Sequence, residues 1–130
     1  MKFYIFILFF LPTVAFSQIY INTDTLNIES NGKTQVRILH CDSFSCTFLI
    51  VIPDEVKAHY HANHTENIYV LEGNAIMKLG KKEFEIKKGD VIIVPLGTVH
   101  SVINQGNKPL KVLSIQSPFF DGSDRIMVSD

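Results

Sequence analysis

The sequence predicts an all-β protein, a sandwich or barrel of antiparallel strands. Short segments of three to seven residues with strand-like composition recur along the chain, and turn residues such as Gly, Asn and Asp separate them. Strands divided by turns at intervals of roughly eight to twelve residues are typical of this fold class. Apolar residues nowhere follow a sustained helical period, which argues against a helical or α/β domain.

Ten strands are predicted, at Ile19–Asn22, Thr34–His40, Thr47–Ile52, Lys57–His61, Asn67–Leu71, Ala75–Leu79, Glu83–Ile86, Val91–Val94, Ser101–Ile103 and Leu110–Gln116. Dipeptides such as Asn31-Gly32 and Gly73-Asn74 have the composition of turns and mark the boundaries between strands. The irregular tail that follows contains Phe119 and Phe120. We expect these rings to complete the core, although covering an open end of the barrel or forming a dimer contact are alternatives.

The chain has 130 residues, enough for one domain. Its beginning has the pattern of a secretory signal peptide: Lys2, an apolar run, then the small-x-small sequence that ends at Ser17. The sequence therefore predicts a signal peptide over residues 1–17 and a single barrel domain over 18–130, exported to the periplasm or secreted. An uncleaved membrane anchor is the alternative, but the apolar run is short and is interrupted by Pro12. We expect no membrane association after cleavage.

Charge gives no support for nucleic-acid binding. Twelve basic and thirteen acidic side chains nearly cancel, and the lysine pairs Lys81-Lys82 and Lys87-Lys88 flank predicted turns. Arg37 and Arg125 are the only arginines, so an arginine cluster that recognises phosphate or dicarboxylate is excluded. The expected partner is a small molecule.

Two cysteines, Cys41 and Cys46, flank a short polar loop. In an exported protein they can form a disulfide, and two buried thiols are the alternative. A redox pair is disfavoured because four residues, not two, separate them.

The residues that carry chemistry are His59, His61, Glu66 and His100. Side chains two positions apart on a strand point the same way, so His59 and His61 can bind one ion together. Three imidazoles and a carboxylate suit a divalent transition metal (Fe, Mn, Ni, Cu or Zn) without selecting one of them. Hydrogen-bonded histidines without a metal are the alternative for each ring, and the shared pattern makes that alternative weaker.

Two segments resemble both signature motifs of the cupin superfamily. The first is His59-x-His61-x4-Glu66-x6-Gly73, and the second is Gly89-x5-Pro95-x-Gly97-x2-His100-x3-Asn104. One position departs from the family pattern: Pro53 occupies the place where the first motif usually opens with Gly. The resemblance implies a double-stranded β-helix, a jelly-roll-like antiparallel barrel, with one divalent metal ion held inside by His59, His61, Glu66 and His100. It also implies a homodimer, formed by pairing sheet edges.

The resulting hypothesis is a mononuclear metal-dependent enzyme that acts on a small oxygenated substrate. The substrate classes are a sugar, uronate, keto acid or phenolic, and the reaction types are those of a dioxygenase, isomerase, lyase or decarboxylase. Glu66 is the candidate catalytic residue, a ligand that also moves a proton. A non-catalytic exported module that binds a ligand or a metal is the alternative, because few other acids or bases are available.

Several supporting residues have predicted positions. The expected barrel walls are aliphatic, formed by Ile68, Val70, Ile92 and Val102. Asn104 either faces the site or caps a turn. His64, in the loop before Glu66, is predicted to be solvated, with a pocket acid or base as the alternative.

Overall fold

The structure is a computed structural model that describes residues 19–128, so the predicted signal peptide lies outside the described residues. The strands are β1 Gln35–Cys41, β2 Cys46–Ile52, β3 Glu55–Tyr60, β4 Thr65–Glu72, β5 Asn74–Leu79, β6 Lys82–Lys87, β7 Val91–Val94, β8 His100–Asn104, β9 Leu110–Ser117 and β10 Ile126–Met127. A 3-10 helix covers Thr23–Thr25. In residues 19–128 no helix is long and apolar enough to cross a membrane.

The strands form two five-stranded sheets. One has the order β1-β2-β9-β4-β7 and the other β10-β3-β8-β5-β6, and every pair is antiparallel. The all-β prediction is therefore confirmed. Neighbours in each sheet are mostly distant in sequence, so the two sheets face each other across a shared interior.

Alternation along the strands places apolar side chains in that interior. On β9, for example, Leu110 and Val112 are buried, while the residues that alternate with them are partly exposed. The buried core consists of Ile52, Val70, Ala75, Met77, Ile86, Ile92, Val94, Val102, Leu110 and Val112.

One end of the barrel is closed by the β4–β5 turn and the β8–β9 loop. Gly73 has a φ of 88°, and a Cβ there would lie 3.2 Å from the Leu110 backbone, so both its conformation and the close approach require glycine. The Asn104 amide nitrogen donates to the Pro53 and Lys108 carbonyls, each at 2.9 Å, and its side-chain oxygen accepts from Gly106 N. Asn104 therefore caps the turn, the second of its two predicted roles.

The predicted strand at Ile19–Asn22 is wrong. These residues belong to no strand, and Tyr20 is 88% exposed. Ile19 and Ile21 instead line a shallow groove on the outer face of the first sheet together with Leu113. Alternating apolar residues gave a strand pattern, yet both isoleucines remain exposed, Ile19 at 63% and Ile21 at 36%.

Cys41 and Cys46 form a disulfide. They are directly opposite each other at the ends of β1 and β2 that the hairpin loop joins, with Cα atoms 4.1 Å apart. Of the alternatives from the sequence, the disulfide is the one present, and it fastens the edge strand β1 to β2.

The residues after β9, 118–128, form what we call the C-terminal strap. The strap crosses the other end of the barrel, and its β10 pairs with β3, placing Met127 opposite His59. No sequence pattern predicted β10, which is only two residues long. The strap brings residues of the tail against the candidate site.

Candidate metal centre

Strands β3 and β8 bring the histidines together at the end of the barrel under the strap. His59 is near the end of β3 and directly opposite His100, the first residue of β8. His61 immediately follows β3. The three rings are 5%, 2% and 4% exposed for His59, His61 and His100, and their ligand atoms all lie within 4.8 Å of one another.

A backbone carbonyl fixes each ring. The Nδ1 atoms of His59, His61 and His100 lie 2.8, 2.6 and 3.0 Å from the carbonyl oxygens of Lys57, Asp124 and Thr98, respectively. Because a carbonyl only accepts, each Nδ1 must carry the hydrogen, which leaves Nε2 as the free lone pair. Metal-binding histidines are commonly oriented by this kind of second hydrogen bond.

Glu66, on β4 of the facing sheet, is 5% exposed and lies beside two of these rings. Its Oε2 is 3.1 Å from His100 Nε2 and 3.7 Å from His61 Nε2. Its Oε1 accepts a hydrogen bond from Ser114 Oγ and a longer one, 3.4 Å, from Gln116 Nε2. One carboxylate oxygen is thus held by the protein, and the other faces the histidines.

The charges of the site follow from burial and these contacts. Burial raises the pKa of Glu66, but the nearby His100 and His61 rings, together with the hydrogen bond from Ser114, outweigh burial and hold the pKa below its ordinary range. Burial, assisted by the adjacent His100, lowers the pKa of His59 to about 4. Burial also lowers the pKa of His61, yet Glu66 and the Asp124 carbonyl more than compensate and raise it. An anionic carboxylate therefore lies among rings of which at least one is neutral.

The donor set fits a metal ion. His61 Nε2 and His100 Nε2 are buried and have no hydrogen-bond partner within residues 19–128. When Nδ1 alone carries hydrogen, a ring presents the Nε2 lone pair toward the Glu66 carboxylate, and the two repel unless a proton or a metal cation lies between them. The three buried histidines could hold such an ion, as the sequence predicted for them.

The family model for the cupin domain matches residues 48–116, more than half of the chain. The protein is a cupin. The match includes all four predicted site residues, and the superfamily predicted from the two motifs is confirmed.

Two relatives illustrate the family. An uncharacterized protein of Methanocaldococcus jannaschii is 37% identical over 76 residues, which cover 58% of this cupin and 61% of the relative. The quercetin 2,3-dioxygenase of Bacillus subtilis is 44% identical over 48 residues, 37% of this chain but only 14% of the dioxygenase. This cupin thus spans less than two thirds of each relative's length.

A solved structure from Klebsiella pneumoniae, described as a conserved protein with a double-stranded β-helix domain, has a TM-score of 0.73 and 23% sequence identity. The alignment covers 88% of this chain and 99% of that one. The likeness confirms the double-stranded β-helix that was predicted.

The C-terminal strap contributes contacts that the sequence did not reveal. The Asp124 carboxylate accepts hydrogen bonds from Ala62 N at 3.0 Å and Asn63 N at 2.8 Å, and lies 2.5 Å from His64 Nδ1. The backbone oxygen of Asp124 orients His61. Hydrogen bonding to His64, with the two backbone amides, lowers the pKa of Asp124 to about 2, so the carboxylate is ionised near neutral pH.

The prediction that His64 is solvated is wrong. The residue is 8% exposed, and its second ring nitrogen lies 2.8 Å from the Phe119 carbonyl. Its ring packs edge-on against Phe120, with centroids 5.0 Å apart. His64 therefore fastens the strap and does not face the cavity. A histidine in a loop gives no sign of this role, because its partners are 55 and 60 residues away.

Phe120 covers the site, the alternative that the sequence analysis ranked below core completion. Its ring meets His61 edge-on, at a centroid distance of 5.3 Å, and also Phe48, at 6.0 Å. Phe119 is 50% exposed and completes no core.

Beside the histidines lies a cavity of about 140 Å³. Its walls are mainly apolar and include Phe48, Ile50, Ile68, Met77, Val102 and Val112. Of the predicted wall residues, Ile68 and Val102 line the cavity, whereas Val70 and Ile92 are buried in the core behind it. Gln116 and Arg125 also line it, although neither was a candidate from the sequence.

Proposed function

We propose that the protein is a mononuclear metal-dependent enzyme acting on a small oxygenated molecule. The observation that carries the proposal is the orientation of the three rings: every Nδ1 faces a backbone carbonyl, so the three Nε2 atoms are left as ligands in one buried cluster. The cavity beside this cluster supplies room for a substrate. A bound divalent metal would polarise substrate oxygens.

The proposed ligands are His59, His61, His100 and Glu66. Glu66 belongs to the set because Oε2 faces His61 and His100 while Oε1 is occupied by Ser114 and Gln116. Four protein ligands on a six-coordinate ion would leave two positions for a substrate or water. The metal is Fe, Mn, Ni, Cu or Zn, and the donor set does not choose among them.

The testing experiment measures metal content in protein purified without added metal. We expect near-stoichiometric transition metal in the wild-type protein and in His40→Ala, whose ring is exposed and lies away from the cluster. The variants His59→Ala and His100→Ala should contain little. A wild-type protein that takes up none of the five ions, even when they are supplied, would refute the metalloenzyme proposal.

Glu66 is also the proposed proton carrier. If so, Glu66→Gln should lower turnover by a larger factor than it lowers metal affinity, because the amide can still donate an oxygen to the ion but cannot exchange a proton. Equal losses of turnover and affinity would remove the proton-transfer role and leave Glu66 as a ligand only.

A non-catalytic binding module is the second candidate, and one observation favours it. Among the described residues that line the cavity, the ionisable groups are the four proposed ligands and Arg125. A binding module would show ligand-dependent stabilisation without turnover. An enzyme would lose its activity on chelation and regain it with one preferred ion.

We also propose that the protein is exported and dimeric. The Cys41–Cys46 disulfide supports an oxidising compartment. The intact mass of the chain recovered from the periplasm or medium tests cleavage before Gln18. Sedimentation at several concentrations tests the dimer.

A further inference from the structure

Gln116 has a buried acceptor that the protein leaves unused. The residue is 5% exposed, and its Nε2 donates to Glu66 Oε1. That bond fixes the orientation of the amide, so Oε1 is the remaining polar atom, and it has no partner in the described part of the chain. Because a buried acceptor without a partner is costly, its position in the cavity wall indicates a ligand that donates a hydrogen bond there.

Arg125 provides a positive charge at the rim of the same cavity. It is exposed, two residues before Met127 on the strap, and forms no ion pair with any described residue. No lysine lines the cavity in residues 19–128, so Arg125 is the cation that an entering anion would meet. A guanidinium group binds a carboxylate through two parallel hydrogen bonds.

The remaining walls of the cavity are mainly apolar. A cavity of about 150 Å³ lined by apolar side chains accommodates benzene, and this one is similar, at about 140 Å³. A free sugar would bring hydroxyl groups that find no partners on such walls, which is unfavourable. The cavity therefore suits an apolar body the size of one six-membered ring.

We propose that the ligand is an apolar, ring-sized carboxylic acid with a hydroxyl group at its far end. The hydroxyl group donates to Gln116 Oε1 beside the histidines, and the carboxylate binds Arg125 at the rim. This assignment deepens the proposed function and rests on it for the metal side of the site. Within the substrate classes named above it selects phenolic acids over sugars and uronates.

The test is calorimetric titration of the zinc-loaded protein with three probes of one shape: 4-hydroxybenzoate, benzoate without the hydroxyl group, and uncharged 4-hydroxybenzamide. We expect 4-hydroxybenzoate to bind about fivefold more tightly than benzoate and about tenfold more tightly than the amide. Glucuronate should bind more weakly than all three. Equal affinities for the three probes, or tighter binding of glucuronate, would overturn the assignment.

Variants separate the two contacts. Gln116→Leu should abolish the preference for the hydroxyl group and retain the preference for the charge. Arg125→Gln should do the reverse, and Arg125→Lys should restore part of the preference for the charge. Arg37→Gln is the matched control, since Arg37 is exposed on β1 and does not line the cavity. Preferences that persist unchanged in both Gln116→Leu and Arg125→Gln would refute the assignment, and the wild-type series remains decisive if a variant fails to fold.

Zinc content, measured on the same samples, keeps this proposal distinct from the preceding one. If the protein does not bind zinc but the metal-free protein keeps its preferences among the probes, the metalloenzyme proposal is contradicted and the ligand class is supported. Stoichiometric zinc without probe preferences contradicts the ligand class alone.

Discussion

The two ends of the barrel treat buried polar groups in opposite ways. At the closed end, the side chain of Asn104 uses both its oxygen and its nitrogen in hydrogen bonds to backbone groups. At the end under the strap, three buried side-chain atoms have no partner in residues 19–128: His61 Nε2, His100 Nε2 and Gln116 Oε1. The same sheets and the same strands supply both ends.

Because of this difference, one end of a strand can serve stability while the other end of the same strand serves the candidate site. On β4, Glu66 lies at the site end and the Gly73 turn follows the other end, where glycine permits close packing against Leu110. The Asn104 side chain has hydrogen-bond partners where the barrel closes. The three buried atoms without partners lie at the other end, where a ligand would bind. Buried polar atoms without partners normally destabilise a protein, so their concentration at one end indicates a binding role.

Among these changes, metal binding at the histidine end should have the largest effect on stability. At a free zinc concentration about a thousand times the dissociation constant, binding should raise the free energy of unfolding by about 4 kcal/mol. Thermal unfolding with and without a chelator measures this increase. The same experiment on His100→Ala should show almost no increase, and an equal increase there would place the ion elsewhere.

Leu110→Ala should destabilise the protein at the closed end of the barrel. Leu110 is 1% exposed, and its truncation should cost about 3 kcal/mol of stability through lost burial and the cavity that remains. Urea denaturation of the metal-free protein measures the loss. Leu110 begins β9, at the opposite end of that strand from Gln116, so metal stoichiometry of the folded variant should not change. A loss of metal as well would mean that the two ends are not independent.

Asn104→Ala should have a smaller effect of the same kind. Several backbone groups lose a partner together, and we expect a loss of about 2 kcal/mol, since part of this loop remains accessible to water. Denaturation with urea again provides the measurement. Asn67→Ala is the control, because no hydrogen bond joins the Asn67 side chain to another described residue; comparable losses in both would contradict the clamping role of Asn104.

Asp124→Asn should weaken the site end by the smallest amount. The substitution removes a charge from the contact with His64 and loosens the strap that orients His61, so metal affinity should fall by about tenfold with the fold retained. Competition with a chromogenic chelator measures the affinity. Asp121→Asn is the matched control on the same strap, since within residues 19–128 the Asp121 side chain forms hydrogen bonds with Ser123 alone. Equal effects of both substitutions would argue against the positioning role of Asp124.

Local pattern was sufficient to predict most of the fold. Nine of the ten predicted strands correspond to observed ones, because alternating apolar residues and turn composition are properties of short segments. The failure at Ile19–Asn22 has the same origin, since a local pattern of apolar residues does not show whether a strand partner is available. β10 was missed because two residues carry too little pattern.

The site was predictable only in its histidines and Glu66. His59 and His61 are two positions apart at the end of β3, and the motif spacing associates them with His100. Gln116, Arg125 and Asp124 come from the end of the chain, and only folding places them beside that group. Residues that lie about 60 positions apart in the chain form no motif with a recognisable spacing, so the sequence does not show that they meet.

The strap makes the binding site modular. Strands β3, β4 and β8 supply the proposed metal ligands, whereas the strap supplies Phe120 over the site and Arg125 at its rim. Evolution, or an engineer, could exchange residues 118–123 and 125–128 and so alter what enters the cavity. Keeping Asp124 would preserve its contacts with His61 and His64. The proposed metal ligands would then stay the same while the specificity changes.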